Sequence, residues 1–133
     1  MTLLFTAMFL LIAFQIKHLI ADYYLQFSYM YENKGKPQGW FKPLLDHTLV
    51  HGAGTGIILS TYFIAIGHVA PSAIGIILAM IILDIVTHFI TDRWKATRGR
   101  HPGESKFWTD LGIDQMIHHI VGIIMVGTVL SLV

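Results

Sequence analysis

Asp84, His88 and Asp92, spaced four residues apart, close an apolar run that begins near Ser72. On a helix such residues lie on one side, each about one turn (~6 Å) from the next. A charge in hydrocarbon costs several kcal/mol, so charged groups in a membrane helix face a bundle interior or a water-filled cavity. This stretch therefore demands neighbours that can meet its polar side.

Three further apolar stretches carry comparable pairs. His18 and Asp22 lie in the first, His47 and His51 in the second, and Asp114 and His118 in the fourth. All are i,i+4 pairs, which a helix presents on one face. In the first stretch Gln15 and Gln26 extend the polar stripe, and Lys17 lies beside it, placed to snorkel toward a headgroup region. Gly52 and Gly56 form a small-xxx-small step on the second, suited to close packing within a bundle.

The composition leaves one setting for these helices. Over 133 residues, 54% are hydrophobic and only 13% charged, with a mean hydropathy of +0.62. That is too apolar for an ordinary soluble domain and fits an integral membrane protein. A net charge of +1 excludes a strong nucleic-acid footprint. With no Cys, thiolate ligands, disulfides and a Cys nucleophile are excluded, whereas eight His are an excess for so small a chain. No Lys or Arg precedes the apolar run Leu3–Ile16 and no small-x-small cleavage site follows it, so it reads as a retained first span.

The expected architecture is all-α: a single transmembrane domain, residues 1–133, forming a four-helix antiparallel bundle. The predicted helices cover roughly 3–27, 44–66, 72–95 and 110–132, each about 21–25 residues and long enough for a ~30 Å core. Pro43 and Pro71 suit helix starts. Thr109 is expected to cap the last helix, with Trp108 packing on Ile113. Tyr31–Trp40 reads as a polar loop. Lys34, Lys36 and Lys42, and then Arg93, Lys95, Arg98, Arg100 and Lys106, concentrate positive charge at one end, where Trp40, Trp94 and Trp108 also fall. The positive-inside rule places loops 28–43 and 96–109 in the cytoplasm and both termini outside, in a bacterial cytoplasmic membrane.

On that topology the four pairs share one depth, roughly 5–14 Å inside the cytoplasmic boundary at about 1.5 Å per residue. Eight candidate metal ligands follow: His18, Asp22, His47, His51, His88, Asp92, Asp114 and His118. Asp46 and His119 are their neighbours in sequence but point about 100° away. Carboxylate-rich versions of this plan build di-metal sites in four-helix bundles. Imidazole and carboxylate without thiolate suit Zn first, with Fe or Mn as alternatives, and the ligand number admits one or two divalent ions. Asp84 and Lys95 are the candidate catalytic groups, as proton acceptor and anion-binding cation. Ahead of the pairs the outer halves offer only scattered Ser, Thr, Tyr and Gly. That favours a site opened from the cytoplasm over a transport path.

These residues resemble a family of small bacterial and phage membrane proteins catalogued as a domain of unknown function. The resemblance rests on His18-x3-Asp22-x3-Gln26, His47-x3-His51, Asp84-x3-His88-x3-Asp92-x2-Lys95 and Asp114-Gln115-x2-His118, and covers nearly the whole chain. It implies a membrane location and no established reaction. A looser similarity is to membrane-bound metal-dependent hydrolases. Gln115–His119 is also similar to the last His box of membrane desaturases, but the doubled His boxes of that family are missing. The function expected is a metal-dependent hydrolase acting on a lipid headgroup or lipid-linked phosphate at the cytoplasmic face. The alternative is a non-enzymatic metal or proton transporter, sensor or binding subunit. Membrane lipid is the expected partner, with room for a homo-oligomer and none for nucleic acid.

Overall fold

A computed structural model describes residues 2–132. Those residues form five helices and no strand: α1 (Leu3–Tyr23), α2 (Ser28–Asn33), α3 (Phe41–Ala65), α4 (Pro71–Thr97) and α5 (Ser105–Ser131). The four long helices are each long and apolar enough to cross a membrane. Even the shortest, at 21 residues, extends about 32 Å at 1.5 Å per residue.

The short connections make successive long helices antiparallel. α1 packs on α3 and α5, and α4 packs on α3 and α5, so α1 faces α4 across the bundle diagonal. Lipid tails are as apolar as these side chains, so close packing rather than water exclusion holds such helices together. Glycine supplies that closeness on α3. A Cβ at Gly52 would lie 2.7 Å from the Ile85 side chain, and one at Gly56 would lie 3.1 Å from Ile81. The Gly52/Gly56 step is thus a packing seam between α3 and α4.

The interior divides into two halves. Toward the end carrying the α3–α4 turn, Leu10, Phe14, Leu59, Phe63, Met125 and Val129 form a dry core. Toward the other end the interior is mostly His, Asp, Thr and Lys, with Leu44, Ala21 and Met30 among them. Outward-facing positions such as Phe9, Ile57, Ile82 and Ile123 are exposed and apolar, as a lipid-facing surface requires.

Several boundaries differ from the sequence expectation. α1 stops at Tyr23, where Tyr24 N and Leu25 N both donate to Ile20 O, and the chain turns into the short helix α2 inside the predicted loop. α3 begins at Phe41, so Pro43 sits in its first turn rather than at its first position. Pro71 does open α4. α5 begins at Ser105, so Thr109 lies within the helix and does not cap it. The reason is a preceding turn in which Glu104 Oε1 accepts from His101 N at 2.9 Å, starting the helix a full turn early. Trp108 then donates from Nε1 to Pro102 O at 2.9 Å.

Candidate metal centre

Each long helix delivers its i,i+4 pair to the polar half of the bundle, and the pairs meet. Ligand atoms of His18, His51 and His88 lie within 4.8 Å of one another, as do those of Asp22, His47 and His51, and those of Asp92, Asp114 and His118. The three trios together comprise the eight residues that the spacing singled out. Asp46 turns outward to Lys42 and Tyr29, and His119 is exposed.

The trios are contiguous. The His88 and His118 rings stack with centroids 3.9 Å apart, and His51 lies 3.7 Å from His88. Asp22 shares its oxygens between helices: Oδ2 is 3.1 Å from His18 Nε2, and Oδ1 is 3.1 Å from His51 Nε2 and 3.5 Å from His47 Nε2. Asp92 Oδ2 is 3.6 Å from His47 Nε2 and 3.9 Å from His118 Nε2. Asp114 Oδ1 is 3.4 Å from His118 Nε2. Gln115 bridges the cluster, its Oε1 lying 3.2 Å from His18 Nε2 while its Nε2 donates to Asp22 Oδ2 and Asp114 Oδ2. Gln26, beyond the end of α1, sets its amide 3.1 Å from His47 Nε2. Gln15, at the start of the same stripe, is exposed.

Three lysines compensate the carboxylates. Lys17 does not snorkel outward: its Nζ lies 2.7 Å from Asp84 Oδ2, and its side chain is only 8% exposed. The reach is possible because α3 carries Gly54, where a Cβ would sit 2.6 Å from Lys17 Cγ. A buried carboxylate without a partner is strongly disfavoured, and the gap beside Gly54 lets the nearest ammonium group supply one. Lys34, placed by the sequence in a solvated loop, is buried, with Nζ 2.6 Å from Asp92 Oδ1. Lys95 Nζ lies 2.5 Å from Asp114 Oδ2. Asp22 alone among these four carboxylates has no ammonium partner among the described residues, so with neutral histidines the cluster keeps one net negative charge.

Asp84 sits beside the trios and orients one of them. It accepts from Thr55 Oγ1 at 2.6 Å and from Lys17, and its Oδ1 is 3.1 Å from His88 Nδ1. His88 Nδ1 also lies 2.9 Å from the Asp84 carbonyl oxygen, which can only accept. Nδ1 therefore carries the proton, and on a neutral ring Nε2 presents its lone pair. That Nε2 is buried with no hydrogen-bond partner, as are His51 Nδ1 and His118 Nδ1. Most buried polar atoms are paired, so three bare imidazole nitrogens in one cluster are groups that could hold a cation.

The cluster opens at one end. A cavity of about 160 Å³ borders Asp22, Asp92, Lys34, Lys95 and Gln115. Through Gln26, Lys34, Lys95 and Leu111 it shares walls with a vestibule of about 650 Å³ that also carries Lys36, Arg100 and His101. Asp84 lines neither space. Sequence reasoning missed Lys34 and Lys17 as parts of the site. Their signal was indirect: four buried carboxylates require compensation, and lysines adjacent in sequence or loop are the cheapest source.

A family model described as a protein of unknown function (DUF3307) matches residues 10–133. No curated protein and no solved structure matches the chain.

Proposed function

The chain belongs to the DUF3307 family of proteins of unknown function, and on the geometry of its polar half we propose that it is a membrane-embedded, metal-dependent hydrolase. The observation that carries this reading is the meeting of eight His and Asp side chains from four helices, with bare imidazole nitrogens, beside a cavity that shares walls with a basic vestibule. A transport path would need polar groups through the other half, and that half is packed with Leu10, Phe14, Leu59 and Phe63.

His18, His51 and His88 form the trio suited to one ion with an open position, since catalytic sites of this kind commonly take three protein ligands plus water. Asp92, Asp114 and His118 are the second set, for a second ion. Zn fits imidazole and carboxylate donors best, with Fe or Mn as alternatives. A bound divalent ion would supply hydroxide at neutral pH by lowering the pKa of its water to about 7. Asp22 borders the cavity and is the base in this scheme; Asp84, whose oxygens face Lys17, Thr55 and His88, holds His88 in position. Lys95, on the cavity wall, meets the substrate's anionic group. The substrate is a lipid headgroup or lipid-linked phosphate ester, entering from the end that carries the Lys, Arg and Trp residues, which the positive-inside rule assigns to the cytoplasm.

The test is metal analysis of protein purified in detergent, joined to thermal unfolding with and without a chelator. The expected result is a stoichiometric divalent ion and a midpoint that falls when it is removed, since ion at one hundred times its Kd stabilises a fold by about 2.7 kcal/mol. An ion-free protein in which His88→Ala unfolds like wild type, with or without added Zn or Mn, defeats the proposal.

A further inference from the structure

Two of the carboxylates in the cluster divide their oxygens in the same way. Asp92 turns Oδ2 inward to His47 and His118 and gives Oδ1 to Lys34. Asp114 turns Oδ1 inward to His118 and gives Oδ2 to Lys95. Asp92, Asp114 and His118 form one of the ligand trios, and the inner oxygens are the ones that approach His118 Nε2, at 3.9 and 3.4 Å. The outer oxygens hold two ammonium groups that both line the 160 Å³ cavity. The lysines therefore stand between the candidate ion and the space a substrate would enter.

From this arrangement we infer that the cavity is a binding site for a tetrahedral oxyanion, clamped by Lys34 and Lys95 and activated by cation binding at Asp92 and Asp114. The inference rests on the metal-centre reading and adds to it a ligand, its two binding residues and their coupling to the ion. Without a cation each lysine is neutralised by its own carboxylate, and an arriving anion gains little. A divalent ion on the inner oxygens takes over the carboxylate charge. Both ammonium groups are then left in excess beside a cavity of low dielectric, where charge interactions are strengthened. Lys34 is only 6% exposed, so little solvent reaches that excess charge.

A tetrahedral oxyanion is the ligand that answers this geometry. It has enough oxygens to face two point-charge ammonium groups and an ion together, as phosphate groups do with lysine. The wall of the vestibule carries Lys34, Lys36, Lys95 and Arg100 against Glu32 and Asp110, so once an ion takes over the charge of Asp92 and Asp114 it holds an excess of two positive charges, which favours entry of anions. Asp22 and Asp92 are the carboxylates on the cavity wall: Asp92 is shared between Lys34 and the ion, and Asp22 is held by His18 and His51.

Coupled binding has a signature that a structural role lacks. Removing a lysine takes away a cation that repels the ion, so metal binding holds or tightens while anion binding is lost. By linkage, the ion and the anion strengthen each other by the same factor. The experiment is calorimetric titration of the detergent-solubilised protein with Mn²⁺, and then with inorganic phosphate in the presence and absence of Mn²⁺. Expected is phosphate binding at least tenfold tighter with Mn²⁺, and at least tenfold weaker in Lys34→Met and in Lys95→Met, with Mn²⁺ affinity unchanged or raised. Lys95 is 24% exposed in its side chain, so Lys95→Met carries the test even if Lys34→Met folds poorly. A short-chain phosphatidic acid titrated in the same way identifies the source. Coupled binding tighter than that of phosphate supports the site with a lipid headgroup as its ligand, and coupled binding of phosphate alone supports it with free phosphate. Phosphate affinity indifferent to bound Mn²⁺, or lysine variants that weaken Mn²⁺ and phosphate together, overturn this inference and leave the metal centre standing. Absence of Mn²⁺ and Zn²⁺ binding in the wild type overturns both.

Discussion

Asp84 shows how one side chain can serve the centre without facing its cavity. It joins Lys17 of α1, Thr55 of α3 and His88 of its own helix. Through His88 Nδ1 it fixes which imidazole nitrogen points away with a free lone pair. Asp84→Asn keeps the volume but leaves the Lys17 ammonium buried and unpaired, an arrangement that costs about 3–5 kcal/mol. The double variant Asp84→Asn/Lys17→Met removes that stranded charge and is expected to recover most of the stability, read by chemical unfolding in micelles. Metal affinity is expected to remain reduced in both, by about tenfold. That is the lower end of the usual effect of losing an orienting carboxylate, because the Asp84 carbonyl still holds Nδ1. Recovery of metal affinity together with stability in the double variant would reduce Asp84 to a charge partner for Lys17.

Among the elements, the connection from α2 to α3 contributes most to the site for its length. Lys34 follows directly on α2, and it reaches Asp92 because the loop lies close against the end of α4. A Cβ at Gly35 would stand 2.6 Å from Ala96 O, a backbone atom that cannot move aside. Arg93, one turn earlier on α4, ties down the same loop, donating to Lys34 O at 2.6 Å and to Lys36 O at 3.1 Å, with its guanidinium 4.0 Å over Trp40. Gly35→Ala is therefore expected to lift the loop, weaken the Lys34–Asp92 pair and destabilise the protein by about 1–3 kcal/mol, the usual range for overpacking. Limited proteolysis would show faster cleavage near Lys34 and Lys36. Gly39→Ala is the control: its φ of 71° makes alanine unfavourable, but no neighbour lies within 4 Å of the added Cβ. It is expected to cost about 1–2 kcal/mol with the pair intact. Equal protease sensitivity in the two variants would rule out the close approach at Gly35 as the special constraint.

At the scale of the whole molecule, the bundle is polarised along its length. One end is a dry apolar plug; the other holds the charged cluster, the vestibule and the three Trp. A site at one end of the bundle faces one side of a membrane, and the excess of Lys and Arg in segments 28–43 and 96–109 is the basis of our proposal that this side is the cytoplasm. The chain has no Cys, so single-Cys variants report topology without background. Gly103→Cys, in the connection between α4 and α5, is expected to react with an impermeant maleimide only in inside-out vesicles. Val69→Cys, 78% exposed in the turn between α3 and α4, is expected to react only in right-side-out ones. The reverse pattern would place the vestibule outside and remove the reading that its substrate arrives from the cytoplasmic leaflet.

The sequence alone determined the four spans and the polar face of each, because helical periodicity is local and a charged group in an apolar run has few places to go. It also determined the eight residues of the cluster: i,i+4 spacing fixes a face, and antiparallel connection by short loops fixes a shared depth. The tertiary structure decided what sits behind those residues. Lys17 and Lys34 pair with aspartates 67 and 58 positions away, and no periodicity reports a partner at that distance. Each pairing depends on a gap that only the packed bundle contains, beside Gly54 in one case and against Ala96 in the other. The bare nitrogen on His88 likewise follows from where its other nitrogen found an acceptor. Local repetition chooses faces, whereas the need to neutralise every buried charge is met by whichever group the assembled helices bring within reach.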